Sequence, residues 1–326
     1  MDQLDRAKGC LAGLAIGDAL GRPVEGFSIS EIESQFGEIT EFIDDDIQGT
    51  DDTEFAILTA TTLLEFGLTA TSVDFSHSWL VKVLPQSEAL VGAGFSELST
   101  VRNLRLGLMP PISGMHSASW SDGLAMRIAP IGIAASHDYA LVVQLAKSDG
   151  AVSNAGEGIW GGVAVALAVS LAMNNVPTEE IFNFVKQSIP AETWLARNLS
   201  KIEKINLERA EKTDQQLRHE LIERIAIAEF PFPELAPEAV SLAFGSLLLA
   251  QDSFEDTLLF AVNLGRDTDT IAAICGAIVG AKVGFSNIPA KWTNQLKPAT
   301  GSCLKFAAGI DLVSLAPKLL GLASAK

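Results

Sequence analysis

Apolar residues recur at three- and four-residue spacings in eight stretches, 4–20, 53–66, 139–147, 159–173, 178–188, 238–250, 255–263 and 270–283. That spacing keeps them on one face of a helix with 3.6 residues per turn, so each stretch predicts an α-helix. The alternation that marks a strand is scarce, and no Asn-Gly hairpin turn occurs. Pro110-Pro111, Pro231-Phe232-Pro233 and Pro289 interrupt the pattern. The chain therefore reads as a compact all-α protein of many medium-length helices.

The longest apolar run, 158–173, is shorter than the roughly 20 residues that span a bilayer, so it predicts a buried helix. Residues 196–229 differ: Lys201, Glu203, Lys204, Glu208, Arg209 and Glu211 begin a mixed-charge stretch that predicts a solvated helical face. No Pro- or Gly-rich linker divides the chain. Residues 1–326 are expected to form one domain, with 191–235 as a peripheral helical hairpin.

Two segments carry glycine every fourth residue: Gly9, Gly13, Gly17 and Gly21, then Gly276, Gly280 and Gly284. Glycine costs roughly 1 kcal/mol in a helix interior relative to Ala, so its repeated use implies a packing demand. Smooth faces of this kind let two backbones approach closely. Both segments are expected at the centre of the bundle.

Composition narrows the partners. The 326 residues are 48% hydrophobic and 19% charged, with a net charge of −17. Nucleic acid and acidic membranes both call for a basic surface, so neither is expected as a partner. Cys10, Cys275 and Cys303 are scattered and form no Cys-x-x-Cys pair, and His77, His116, His137 and His219 are dispersed. That usage fits a reducing cytoplasm and gives no zinc or disulfide signature. The N-terminus shows no secretory pattern.

The candidate chemistry lies in two acidic motifs, Thr50-Asp51-Asp52-Thr53-Glu54 and Arg266-Asp267-Thr268-Asp269-Thr270, each followed at once by an apolar helical run. Both read as helix N-termini. Capping explains one Asp in each, with Glu54 closing a box to Asp51. It does not explain paired Asp with flanking Thr at two unrelated places, because like charges so close repel unless a cation lies between them. Hard divalent cations take oxygen ligands, and neither motif contains His or Cys. Asp18 lies on the first glycine-striped segment, and Glu25, between Pro23 and Gly26, belongs to a turn or mobile loop.

Gly9-x-x-x-Gly13-x-x-x-Gly17-Asp18-Ala19-x-Gly21, Thr50-Asp51-Asp52-Thr53, Met126-Arg127-x-x-Pro130 and Gly265-Arg266-Asp267-Thr268-Asp269-Thr270 together resemble the ADP-ribosylglycohydrolase family. The motifs stand in family order and cover nearly the whole chain. The resemblance implies an orthogonal multi-helix bundle with two divalent cations, Mg2+ or Mn2+, in a cleft. It implies metal ligands at Thr50, Asp51, Asp52, Asp267, Asp269 and Thr270. Asp52 or Asp269 would position a water, and Glu25 would orient the substrate or assist proton transfer. Asp18, Trp120, Asp122, Gly123, Arg127 and Asn154 fall on substrate-side positions, with Trp120 where relatives stack adenine.

Three features depart from the family pattern. Asn154 stands near a frequent histidine, Asp122 replaces a frequent asparagine, and 156–162 looks like a less-characterised branch. The activity implied is cleavage of the anomeric ribosyl bond of an ADP-ribosylated protein or an ADP-ribose-containing small molecule. The alternatives are a metal-dependent ribosidase acting on a nucleoside-like metabolite and a non-catalytic protein of the crystallin J1 type.

Overall fold

The computed structural model describes residues 2–43, 47–226, 232–250 and 253–323. From the N-terminus, α1 (Gln3–Gly21) leads through a short 3-10 turn to α2 (Ile29–Phe36) and α3 (Asp51–Phe66). Four shorter helices follow: α4 (Ser72–Ser78), α5 (Phe95–Arg105), α6 (Gly123–Arg127) and α7 (Ala129–Ala134). The middle of the chain forms α8 (Tyr139–Ser153), α9 (Glu157–Met173), α10 (Thr178–Ser188), α11 (Trp194–Leu207) and α12 (Asp214–Leu221). The last third forms α13 (Ala236–Leu249), α14 (Phe254–Val262), α15 (Thr268–Val283), α16 (Ala290–Thr293) and α17 (Ala316–Ala323). Among the described residues there is no strand, only two isolated bridges, Ser28 with Gly265 and Ser121 with Leu235.

All eight periodic stretches fall on helices. The pattern undercounted α8, which continues past 147 through Ser148, Asp149 and Gly150 to Ser153. Its polar end is core, because Asp149 and Ser153 are buried and bonded to Arg127. In the mixed-charge region α11 buries Leu195, Leu199, Ile202 and Ile205. Around it, Lys212 pairs with Glu220 at 2.6 Å and Arg224 with Glu220 at 2.6 Å. Residues 227–229 of that stretch and Pro231 lie outside the described residues. The run 158–173 is the body of α9, buried through its length except Ile159 and Trp160, and no described helix is long and apolar enough to cross a membrane.

The centre is the antiparallel pair α1 and α15. A Cβ on Gly9, Gly13, Gly17 or Gly21 would overlap the carbonyl oxygens of Gly280, Gly276, Ala272 and Thr268 respectively. Backbone thus meets backbone along four turns, which is why Ala does not replace Gly here. α9 and α13 pack against α15. These helices are apolar all round, as helices enclosed by others are.

The register of this pair positions the site. Gly21, the last residue of α1, meets Thr268, the first of α15, and Thr268 Oγ1 donates to the Gly21 carbonyl at 2.9 Å. One turn earlier on α1, Asp18 accepts from Thr50 N at 2.8 Å and from Thr53 N at 3.1 Å. The starts of α3 and α15 are thereby brought to the same end of α1.

Candidate active site

Thr50 caps α3, its hydroxyl accepting from Asp52 N at 3.4 Å. Glu54 does not close a box to Asp51. Its carboxylate accepts instead from the backbone N–H groups of Gly301 at 2.7 Å, Ser302 at 3.0 Å and Cys303 at 3.0 Å, tying a distant C-terminal segment to the start of α3. Asp267 occupies the N-cap position of α15 without a side-chain cap bond. Capping therefore does not account for Asp51, Asp52 or Asp267, and Asp269 makes one first-turn bond, its Oδ1 accepting from Thr270 N at 3.0 Å.

The two motifs converge. Thr270 Oγ1 lies 3.3 Å from Asp52 Oδ2, linking residues 218 positions apart. Carboxylate oxygens of Glu25, Asp267 and Asp269 all lie within 4.8 Å of one another. Glu25 is delivered by a turn sewn to the segment before α15: Gly26 N donates to Arg266 O at 2.7 Å, and Arg266 N to Phe27 O at 2.6 Å. Glu25 stands at the exposed mouth, with Asp51, Asp52, Asp267 and Asp269 buried behind it.

Electrostatics single out this cluster. Burial, followed by the charge of Asp269, pushes the carboxyls of Asp51 and Asp52 well above the ordinary range. Burial and the neighbouring charges of Asp122 and Asp267 do the same to Asp267 and Asp269 respectively. Desolvation, then Glu234 and Asp18, raises Glu25. Asp122 is lifted to about 7, chiefly by burial. Asp52 Oδ1 is buried with no hydrogen-bond partner among the described residues. Crowded, desolvated carboxylates with an unsatisfied oxygen are what a bound cation relieves. An all-oxygen donor set fits a hard divalent ion.

A cleft of about 580 Å³, counted to its open mouth, gives onto these groups. The lining holds eight carboxylates, namely Glu25, Asp51, Asp52, Glu97, Asp122, Glu234, Asp267 and Asp269, and no described Lys, Arg or His. Among 326 residues, 1–325 match the sequence model of the ADP-ribosylglycohydrolase family. The chain belongs to that family. It is 33% identical over 302 residues to an Archaeoglobus fulgidus protein of unassigned function, covering 90% of this chain and 92% of that one. Human ADP-ribosylhydrolase ARH3 is 28% identical, with 89% and 88% covered. The ADP-ribosylarginine hydrolase Tri1 of Serratia proteamaculans is 27% identical, with 90% and 76% covered. A solved ADP-ribosylglycohydrolase-related protein complex superposes with a TM-score of 0.69 at 24% identity, over 98% of this chain and 99% of that one, and shares the fold. Membership of this family makes the protein a hydrolase.

The residues expected on the substrate side divide into two groups. Asp122 and Gly123 line the cleft. Asp18, Arg127 and Asn154 are buried and outside its lining. Asp18 holds the start of α3, its oxygens taken by Thr50 and Thr53. Arg127 donates to Gly123 O at 2.6 Å, Asp149 Oδ1 at 2.9 Å and Ser153 Oγ at 2.8 Å. Asn154 Nδ2 donates to the carbonyls of Ser121 at 3.0 Å and Ser119 at 3.3 Å, fixing the loop that carries Trp120 and Asp122. Trp120 is 40% exposed beside Gly156 and outside the lining. In 156–162, Glu157 caps α11, accepting from Trp194 N at 2.7 Å and Leu195 N at 3.2 Å. That acid is structural.

Glu97 and Glu234 line the cleft and were not among the expected residues. In the sequence Glu97 looks like an ordinary acid in a helix first turn, and Glu234 like a loop acid between prolines. The available signal was Gly92-Ala93-Gly94 just before α5, a flexible turn delivering that helix start to the cleft.

Proposed function

We propose that this hydrolase cleaves the anomeric ribosyl bond of an ADP-ribosylated protein or an ADP-ribose-containing small molecule, using two divalent cations, Mg2+ or Mn2+. Thr50, Asp51, Asp52, Asp267, Asp269 and Thr270 would hold them. The observation carrying this reading is the approach of Thr270 to Asp52, which joins the two acidic motifs at one place. A divalent ion, when bound, supplies a Lewis acid that orients ribose hydroxyls and makes a nearby water more acidic.

The chain's own groups do the rest. Asp52 or Asp269 accepts a hydrogen bond from the attacking water and aims it at the anomeric carbon. Glu25, at the mouth with a raised carboxyl, holds a proton for the departing group or orients the sugar. The positive charge that develops on the ribose ring faces a wall of carboxylates, which stabilises it. The complete set of acids argues against a non-catalytic role of the crystallin J1 kind. Three buried, unpaired cysteines support a reducing, cytoplasmic location.

One observation favours a second reading, a metal-dependent ribosidase acting on a nucleoside-like metabolite. The described lining residues include no cationic side chain that could pair with a diphosphate, and include eight carboxylates that would repel one in the absence of a cation. Both readings are tested by supplying Mg2+ or Mn2+ and following release of free ADP-ribose or ribose. ADP-ribosyl-arginine, ADP-ribosyl-serine, O-acetyl-ADP-ribose and simple nucleosides are the substrates to compare. Turnover that persists unchanged with chelator overturns the metal-dependent mechanism, and turnover confined to nucleosides replaces the first reading with the second.

A further inference from the structure

The cations of this chain are gathered as its acids are. Against the eight carboxylates of the cleft stands a surface groove of about 560 Å³, counted to its open mouth, between the last turn of α10 and the outer face of α11. Its lining holds Lys186, Arg197, Lys201 and Lys204, with Ser200 and two alanines, and no acid. Such a lining runs against the composition of a chain whose 40 acids outnumber its 23 Lys and Arg.

Arg197, Lys201 and Lys204 follow one another at four- and three-residue spacing along α11, so they share one face, while Leu195, Leu199, Ile202 and Ile205 turn to the core. Like charges at that spacing destabilise a helix, so the fold gains nothing from the stripe. Glu203 pairs with Lys186 at 2.7 Å, and Lys201 Nζ donates to the Arg224 carbonyl at 3.1 Å. The Arg197 guanidinium lies over the Trp194 ring, 4.7 Å from its centroid. No acid or carbonyl among the described residues engages that guanidinium or the Lys204 ammonium. Farther along the same stretch the charges do pair, Lys212 and Arg224 each with Glu220. Positive charge is left over only where the surface is concave.

Several like charges around a concavity raise the local potential and collect counter-ions. From Arg197 to Lys204 the stripe runs about 10 Å at 1.5 Å per residue, longer than one phosphate group and matched to a chain of them. A guanidinium stacked on a ring keeps its in-plane fork for two phosphate oxygens, and each Lys adds a point charge for the next group.

We propose that this groove binds a chain of two or three phosphates, carried by a nucleotide or free as an inorganic oligophosphate. It shares no residue with the cleft and does not depend on the ribosyl reading.

The test is calorimetric titration of the full chain with inorganic tripolyphosphate in chelator, where no cation bridges phosphate to the cleft carboxylates. One tripolyphosphate should bind per chain, several-fold more weakly at about 200 mM salt than at about 50 mM. The double variant Arg197→Gln, Lys204→Gln should weaken it about tenfold, since two charge-assisted contacts go. Arg105→Gln with Lys318→Gln makes the same change of net charge at exposed positions outside the groove, and should leave the affinity within about twofold. ATP and adenosine identify the source: ATP binding more tightly than tripolyphosphate assigns a nucleotide, and equal affinity assigns the bare phosphate chain. No binding of tripolyphosphate or ATP overturns the proposal, as does adenosine binding as tightly as ATP. An equal loss in both double variants also overturns it, because net charge alone would then account for the binding. Capture of a single-stranded oligonucleotide by a protein that ignores tripolyphosphate would make the face a nucleic-acid surface instead. Should the groove variant melt lower than wild type, Lys204→Gln alone, at an exposed side chain, decides with an expected loss of about threefold.

Discussion

The guanidinium of Arg266 grips the carboxylate of Glu238 through two bonds, Nε to Oε1 at 2.6 Å and Nη2 to Oε2 at 3.1 Å. Glu238 is fully buried, and burial raises its carboxyl to about 7 even with Arg266 beside it. Arg266 has φ 71°, a conformation uncommon for a residue with a side chain, and it immediately precedes Asp267. The ion pair therefore anchors a backbone that carries a metal-ligand candidate.

Arg266→Ala should cost about 3 kcal/mol, the scale for stranding one partner of a buried pair. The loss should depend on pH. Without the guanidinium, Glu238 keeps its proton to higher pH in the folded state, while its unfolded value stays near 4.5. The folded variant then binds more protons than the unfolded chain across the neutral range, so its stability falls as pH rises. Urea melts at about pH 6 and pH 8 should show the larger deficit at pH 8. An equal deficit at both would mean that the guanidinium does not hold this acid.

Gly13→Ala should destabilise by about 3 kcal/mol, the upper range for overpacking, because the added methyl meets the Gly276 carbonyl and not a movable side chain. Gly309→Ala is the control for backbone conformation alone, since Gly309 has φ 79° but nothing within 4 Å of an added Cβ. A Gly13→Ala protein that melts like wild type would show that α1 and α15 do not rely on backbone contact.

Asp267→Asn should abolish turnover while raising the melting temperature in chelator by several degrees. Removing one of several crowded, buried charges relieves repulsion worth about 1–2 kcal/mol. Differential scanning fluorimetry with and without Mn2+ reads both effects, since the variant should also lose the metal-induced shift. A variant that melts lower than wild type in chelator would assign Asp267 a structural role.

Much of this was legible in the sequence because it is periodic or paired. The long helices announced themselves by spacing, and the glycine stripes by a cost that only close packing offsets. The repeated acidic motifs marked the cluster because capping accounts for too few of their charges. What stayed hidden depends on tertiary contacts. Nothing local says that Glu54 reaches residues 301–303, that Asp18 faces the start of α3 and not the cleft, or that Arg127 and Asn154 brace the cleft from behind. Helices as short as α4 and α7 complete too few turns to show a period.

Metal and pH should act against each other on stability. Asp51, Asp52, Asp267 and Asp269 all have raised carboxyls, with burial the largest cause in each. In metal-free protein the folded state therefore retains protons that the unfolded chain releases above about pH 4. Its stability must decline as pH climbs from there, most steeply where the unfolded acids are ionised and the folded ones are not. A divalent ion needs the ionised form and competes with those protons, so its stabilisation grows with pH. Melting curves from about pH 5 to pH 8 should slope downward in chelator and flatten or rise in millimolar Mg2+ or Mn2+. Parallel curves would mean that no cation binds among these four aspartates, and the assignment of their chemistry would fall with it.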